Sequence, residues 1–246
     1  MKILGIIPAR YNSTRFPGKP LVMIDNKPMI EHVWHGVYDT GLVDRVIVAT
    51  EDKRIMDAVA AFGGEAVMTS KNHKSGTDRC GEAIQKIGED IEKYDVIINI
   101  QGDEPKVAAE HLKLVVKAFE DPECQIATLK KKIKTLAELN STNTVKVVCD
   151  QNGKALYFSR QPLPYIRGIA KEMWLRTRRT SYFKHIGIYA FRREVLQQLV
   201  LLPQTPLEKC ESLEQLRWME NGYSIQVQET TKESVAIDMP EDLLKL

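Results

Sequence analysis

Short apolar runs alternate with helix-period segments through the first half of this 246-residue chain, and that alternation most constrains its fold. Residues 3–7 are continuously apolar, as a strand buried on both faces would be. A helical pattern follows from Pro28 to about Tyr38, with Met29, Ile30, Val33, Trp34 and Val37 at helical spacing. Gly41 ends it. Residues 45–49 read as a second strand. Thr50-Glu51-Asp52 reads as a strand end and helix cap before a helix over 55–62, and Gly63-Gly64 stops that helix. Strands over 65–68 and 95–100 and helices over 76–87 and 108–119 complete the series. Such alternation predicts a parallel sheet covered by helices on both faces and joined by right-handed crossovers. In these sheets ligands bind beyond the carboxyl ends of the strands.

The second half is less regular. Strands are predicted over 126–129, 145–149, 155–158, 183–191 and 224–228, with a helix over 212–219 that stops at Asn221-Gly222. Asn152-Gly153 is a hairpin signal. With no internal repeat or linker, the reading is one domain over 1–246 with a β-rich insertion at about 150–190. A hydrophobic content of 43% supports a sizeable core. The net charge of +2 argues against a polycation built for nucleic acid, so any anion site must be local. Cys80, Cys124, Cys149 and Cys210 lack metal-ligand spacing and read as isolated thiols of a reducing compartment. No leader-like segment or membrane-length apolar run stands out, so a cytoplasmic location is expected.

Three motifs fall just past predicted strands. The loop after the first carries Arg10, Arg15 and Lys19 within ten positions. It is not a Walker A loop, because Ser13 stands where a glycine is needed and Pro20 follows Lys19. Its cations can themselves grip phosphates, arginine as a planar fork and lysine as a point charge. The bland alternative is ordinary surface charge. Gln101-Gly102-Asp103-Glu104-Pro105 puts a carboxylate where Mg²⁺ could sit, with Gly102 expected to let the backbone approach a ligand. The alternative is a strand-ending turn. Ser75-Gly76-Thr77-Asp78-Arg79 opens a helix that could attract an anion, or is simply a cap. Asp238 reads as either a second metal carboxylate or part of a cap on the last helix. His32 and His35 read as helix-packing residues, and the runs Lys130–Lys132 and Arg176–Arg179 as solvated faces.

Taken together and in order, these motifs carry a resemblance. They are joined by Phe158-Ser159-Arg160, His185-Ile186-Gly187-Ile188-Tyr189, Leu213-Glu214-Gln215-Leu216-Arg217 and Asp238-Met239-Pro240-Glu241. Over nearly its whole length the chain resembles the 3-deoxy-manno-octulosonate (Kdo) cytidylyltransferase family. The resemblance implies a mostly parallel, Rossmann-like nucleotidyltransferase sheet with a β-rich dimerisation insertion. It implies a cytoplasmic homodimer that joins CTP to Kdo with Mg²⁺, giving CMP-Kdo and pyrophosphate for lipopolysaccharide assembly. It assigns catalysis to Arg10, Lys19 and Asp103. Nucleotide binding falls to Arg10, Arg15, Lys19, Ser75, Gly76, Arg79 and Gln101. Sugar binding falls to Gln101, Arg160, His185, Tyr189, Glu214 and Gln215, and Mg²⁺ to Asp103 and Asp238. Asn12, Lys106 and Ala236-Ile237-Asp238-Met239 depart from the commoner pattern without removing any of these ligands. The rival readings are a cytidylyltransferase for a sialic, nonulosonic or 8-amino acid and, from another class, a nucleotide-binding regulator without turnover.

Overall fold

A computed structural model describes residues 1–13, 16–177 and 179–245. Arg15 therefore lies outside the described residues. The chain runs β1 (Ile3–Ala9), β2 (Met23–Ile24), β3 (Lys27–Pro28), α1 (Met29–Tyr38), β4 (Arg45–Thr50), α2 (Lys53–Ala61), β5 (Glu65–Met68) and α3 (Gly76–Ile87). It continues through β6 (Val96–Asn99), α4 (Ala109–Lys117), β7 (Ile126–Lys132), α5 (Leu136–Asn140), β8 (Lys146–Cys149) and β9 (Ala155–Ser159). The last elements are β10 (Phe183–Arg192), α6 (Arg193–Leu199), α7 (Pro206–Glu211), α8 (Glu214–Glu220) and β11 (Ile225–Thr230). No helix among the described residues is long and apolar enough to cross a membrane.

The sheet has the order β11-β7-β10-β6-β1-β4-β5, with β8 and β9 attached beside β10. Strands β6, β1, β4 and β5 are mutually parallel, as the alternation predicts. Strand β10 runs antiparallel to both β6 and β7, and β11 is parallel to β7. Alternate residues of β1 divide the core. Ile3 and Ile7 pack with α1, α2 and α4, whereas Leu4 and Ile6 pack with α3, α6 and α8. Full burial on both faces explains why the early strands read as unbroken apolar runs.

The expected insertion at about 150–190 is divided differently. Strands β8 and β9 form the hairpin signalled by Asn152-Gly153, with Gly153 at φ 80°. Strand β10 belongs to the main sheet. Between them, the described part of 160–182 contains no strand, only a short 3₁₀ turn at Lys171–Met173. Instead it closes a small core of its own, in which Ile133, Leu139, Ile166, Trp174 and Tyr182 are buried. Trp174 and Tyr182 stack at 5.9 Å, and the Tyr182 hydroxyl donates to the Pro164 carbonyl at 2.8 Å. Pro162, Pro164 and Gly168 within 160–182 disfavour ladder pairing there. Helices α5, α6 and α7, of five to seven residues, are not expected from the pattern; α8 is as short as α6 but is marked by the Asn221-Gly222 stop, which the other three lack.

Helix α3 makes one unusually close approach. A Cβ added at Gly81 would lie 2.5 Å from Val200 Cγ1 and 3.0 Å from its Cβ, just beyond α6. Alanine is the better helix former by about 1 kcal/mol, but the overlap should outweigh that gain. Gly81→Ala is expected to destabilise the fold by about 1–3 kcal/mol. Adding Val200→Ala should recover part of the loss in a denaturant titration. A more stable single variant would refute the close packing.

Candidate active site

Because β1, β4, β5 and β6 are parallel, the loops at their carboxyl ends meet along one edge. A cavity of about 310 Å³ opens there, lined by Arg10, Ser13, Lys19, His73, Lys74, Ser75, Gly76, Arg79, Gln101, Gly102, Asp103 and Asp238, among others. The sequence places these three motifs and Asp238 tens of residues apart, and the sheet brings them to one crevice.

The first wall is the basic loop. The Tyr11 carbonyl accepts from the amides of Ser13 (3.0 Å) and Gly18 (2.9 Å), curling the loop back on itself. Gly18 has φ 73°, a conformation costly for other residues. It is followed by a single 3₁₀ turn, Lys19–Leu21, which aims the Lys19 side chain inward.

Opposite stands the Gln101–Pro105 loop. Gly102 is required there, but for a different neighbour than the sequence suggests. A Cβ would lie 2.6 Å from the Pro8 carbonyl oxygen, so the close approach is to the end of β1. The Asp103 carbonyl accepts from the Ile237 amide at 2.9 Å, which draws the C-terminal segment over the site. Lys19 Nζ then donates to Asp103 Oδ2 (2.9 Å) and to the Ile237 carbonyl (2.6 Å), and lies 3.8 Å from Asp238 Oδ1. The Asp242 carboxylate accepts from the amides of Asp238 and Met239, so the capping role falls to Asp242. Burial pushes the neighbouring Glu104 carboxyl up to about 7; the Asp103 charge adds to the shift and a Ser234 hydrogen bond opposes it.

The third wall is the start of α3. Ser75 caps it, accepting from the Asp78 amide at 3.0 Å. The Ser75 and Thr77 hydroxyls each donate to Glu214 at 2.7 Å, and Arg217 holds the same carboxylate at 3.0 Å. Burial raises the Glu214 carboxyl above its ordinary value, against these hydrogen bonds and the Arg217 charge. Gly76 lies against Pro8, where a Cβ would come within 3.2 Å.

The residues assigned to the sugar side are placed less uniformly. Gln101 lines the cavity, and its amide donates to the Gly187 carbonyl at 2.8 Å. That carbonyl is available because β10 departs from its register with β7 between Ile186 and Tyr189. His185 and Tyr189 stand nearby with ring centroids 5.1 Å apart. Glu214 is occupied by Ser75, Thr77 and Arg217, and Gln215 is buried. Arg160 does not line this cavity. Its guanidinium donates to the carbonyls of Thr142, Glu211 and Ser212, tying the end of β9 to the α7–α8 turn.

A larger cavity of about 880 Å³ lies between α3 and the 200–212 segment and shares His73, Lys74 and Ser75 with the first. Its size does not make it the reaction site. The larger cavity also carries charge, Lys74, Glu82, Lys209, Glu214 and Arg217 among its lining, but of the two it is the smaller that holds Arg10 and Lys19 of the basic loop together with Asp103 and Asp238. There the Lys19 ammonium already occupies a place between two carboxylates, Asp103 and Asp238. Such a hard-oxygen pair is of the kind that could hold Mg²⁺, which typically takes one or two carboxylates plus phosphate oxygens. Sequence reading missed His73 and Lys74 as cavity residues, although Lys74 directly precedes the Ser75–Arg79 motif.

Comparison with known proteins shows the family and the fold. A family model described as cytidylyltransferase matches residues 4–230. The 3-deoxy-manno-octulosonate cytidylyltransferase of Parabacteroides distasonis is 53% identical over 249 residues, covering 100% of this chain and 96% of that protein. The protein of the same name from Geobacter metallireducens is 47% identical, covering 100% and 96%. A solved CMP:2-keto-3-deoxy-manno-octonic acid synthetase complexed with CTP superposes with a TM-score of 0.90 at 43% identity, covering 100% and 96%. The 4-diphosphocytidyl-2C-methyl-D-erythritol synthase of Anaerococcus prevotii, at 13% identity and a TM-score of 0.64, shares the fold.

His185 gives the site a pH signature. Burial beside Phe158 and Tyr189 pushes its imidazole down to about 3, although the residue as a whole is only half-buried. The Thr128 hydroxyl donates to the Ile188 carbonyl at 2.7 Å, so at 2.9 Å it accepts from His185 Nε2, which assigns the proton to that nitrogen. An unfolded histidine titrates near 6.5. Between the two values the unfolded chain binds a proton that the folded one refuses. The contribution is therefore complete above about 6.5 and is lost as pH falls toward 3. Wild type is expected to lose more stability than His185→Gln between pH 7.5 and pH 5. Equal losses in parallel denaturant titrations would contradict this.

Proposed function

We propose that this chain, which belongs to the cytidylyltransferase family, activates 3-deoxy-D-manno-octulosonate with CTP to give CMP-Kdo and pyrophosphate. The observation that carries the reading is the full-length likeness to a CTP-complexed synthetase at a TM-score of 0.90. The basic loop and two carboxylates of this chain line one cavity in that same fold. In the reaction the sugar acid's anomeric 2-hydroxyl oxygen bonds to the α-phosphorus of CTP. The bond from that phosphorus to the bridging oxygen breaks, and pyrophosphate leaves with the electron pair.

The roles follow from charge and position. Arg10 and Lys19 grip the triphosphate from the basic loop, with Arg15 of the same loop as a third cation. Ser75, Gly76 and Arg79 face the nucleotide from the start of α3. Asp103 and Asp238 would hold Mg²⁺, which when bound supplies charge neutralisation at the α-phosphate and favours the ionised hydroxyl. On binding, Lys19 would exchange its two carboxylate partners for phosphate oxygens. Gln101, His185 and Tyr189 bound the sugar side. Glu214 acts there through Ser75 and Thr77. Arg160 is held by the Glu211 and Ser212 carbonyls, so a shift of that turn would free it toward the sugar acid, while Gln215 is buried next to Glu214 on α8. The product is suited to lipopolysaccharide assembly, and the reaction is placed in the cytoplasm with its nucleotide.

Pyrophosphate release from four nucleoside triphosphates against a panel of sugar acids tests the reading. Release is expected with CTP and Kdo, dependent on Mg²⁺. Release with a sialic or 8-amino acid but not with Kdo would overturn the substrate. No release under any combination would favour a regulator. Asp103→Asn is expected to lose most turnover while part of the CTP affinity persists, and near-normal kcat would exclude Asp103 as the metal ligand.

The same reading includes a homodimer. Leu156, Tyr165 and Met173 are exposed on the hairpin and the segment after it, at 60%, 74% and 46%. Exposed apolar side chains on this part of the chain would be covered if a partner subunit docked there. Light scattering is expected to give twice the mass of one chain. Leu156→Lys together with Tyr165→Lys should yield monomer, and an unchanged dimer would move the interface elsewhere.

A further inference from the structure

We propose that Glu51, which is not among the residues lining the cavity, is a positioning residue that fixes the spacing of two of its walls. The role builds on the reading of this cavity as the CTP site. Glu51 follows β4, and its carboxylate is shared. Oε1 accepts from the Tyr11 amide at 2.9 Å, and Oε2 lies 2.8 Å from Arg79 Nη2. One carboxylate thus joins the basic loop to the first turn of α3.

Each end of this bridge controls more than one atom. Tyr11 is the hinge of the basic loop. Its carbonyl takes the Ser13 and Gly18 amides, and its ring lies 3.2 Å from where a Gly18 Cβ would be. The Arg54 guanidinium covers that ring at 3.3 Å from its centre. The orientation of the Tyr11 peptide therefore sets the direction of the turn that carries Lys19. At the other end, Arg79 is buried to 4% exposure and lines the cavity. A second nitrogen of its guanidinium donates to Thr69 Oγ1 at 2.6 Å. The Glu51–Arg79 contact is an ion pair off the N–H axis, so charge holds it more than hydrogen-bond alignment. In a poorly solvated setting such a pair is hard to break from one side.

The simpler account is that Glu51 merely neutralises a buried arginine. The two accounts differ in sign. CTP is a polyanion, so removing a carboxylate behind its site should tighten binding if charge alone matters. If Glu51 positions the walls, removing it should weaken binding despite the more positive field.

Calorimetric titration of CTP with Mg²⁺, without sugar acid, separates them in wild type, Glu51→Gln and Thr69→Val. Glu51→Gln is expected to bind CTP roughly tenfold more weakly, as a small misplacement of binding groups would cause. In steady state KM for CTP should rise while KM for the sugar acid stays unchanged. Equal or tighter CTP binding by Glu51→Gln overturns the proposal. Thr69→Val removes one of the Arg79 restraints without changing charge, and it should weaken CTP binding too. If Glu51→Gln does not fold, an unchanged affinity in Thr69→Val overturns the proposal. Failure of wild type to bind CTP would sink the CTP reading alone. Hydrogen exchange then decides for Glu51: faster exchange at the Tyr11 and Gly18 amides in Glu51→Gln supports the bridge, and unchanged exchange removes it.

Discussion

The Lys19 ammonium is the joint on which the site depends. It gathers an aspartate from the loop after β6, a carbonyl and an aspartate from the C-terminal segment, and its own loop after β1. Lys19 lies 84 positions from Asp103 and 218 from Ile237, so forming the joint requires the sheet to be in place first. An isolated exposed ion pair contributes little to stability. Here the lysine side chain is mostly buried and has a carbonyl as well as carboxylates, so loss of either partner leaves a charge poorly compensated. The same balance is suited to function. A cation held by two carboxylates is one for which an arriving polyanion could compete.

Around this joint, buried charge recurs in a consistent form: each buried cation bridges segments. Arg79 links the ends of β4 and β5 to α3 through Glu51 and Thr69. Arg217 collects Glu208, Glu214 and the Leu202 carbonyl, fixing the carboxylate that receives Ser75 and Thr77. Lys146, fully buried, donates to the carbonyls of Ser141, Thr144 and Arg160, and burial holds its ammonium below the ordinary value. Apolar packing alone would hold these helices without specifying their rotation. Directional contacts to buried charges specify which residues face the cavity, because an unpaired charge in any other arrangement would be costly.

Much of the frame was legible from local pattern. Strands β1, β4 and β6 are buried on both faces, so each reads as an apolar run, and the helices between them carry helix-period stripes. The three motif loops were legible as strand-end loops for the same reason. Gly102 was readable as a close approach, but not its partner, since Pro8 lies 94 positions away in sequence. The 160–182 segment carries no strand pattern in sequence, and its apolar residues serve a small private core that only the packing reveals. The short helices α5, α6 and α7 lack the Asn-Gly stop that marked the equally short α8.

By itself the sequence determined the alternating α/β frame, the strand-end placement of Lys19, Asp103 and Ser75, and the family, since those depend on local period and ordered motifs. Tertiary structure alone decided how the motif residues are held. It set Glu214 on Ser75 and Thr77 at the wall of the larger cavity. It tied Arg160 to backbone carbonyls, and it put Glu51 between Tyr11 and Arg79. The reason is range. Periodicity and capping act over a few residues, whereas a buried carboxylate takes as partners whatever donors the packed sheet brings within 3 Å, and no local pattern encodes that distance.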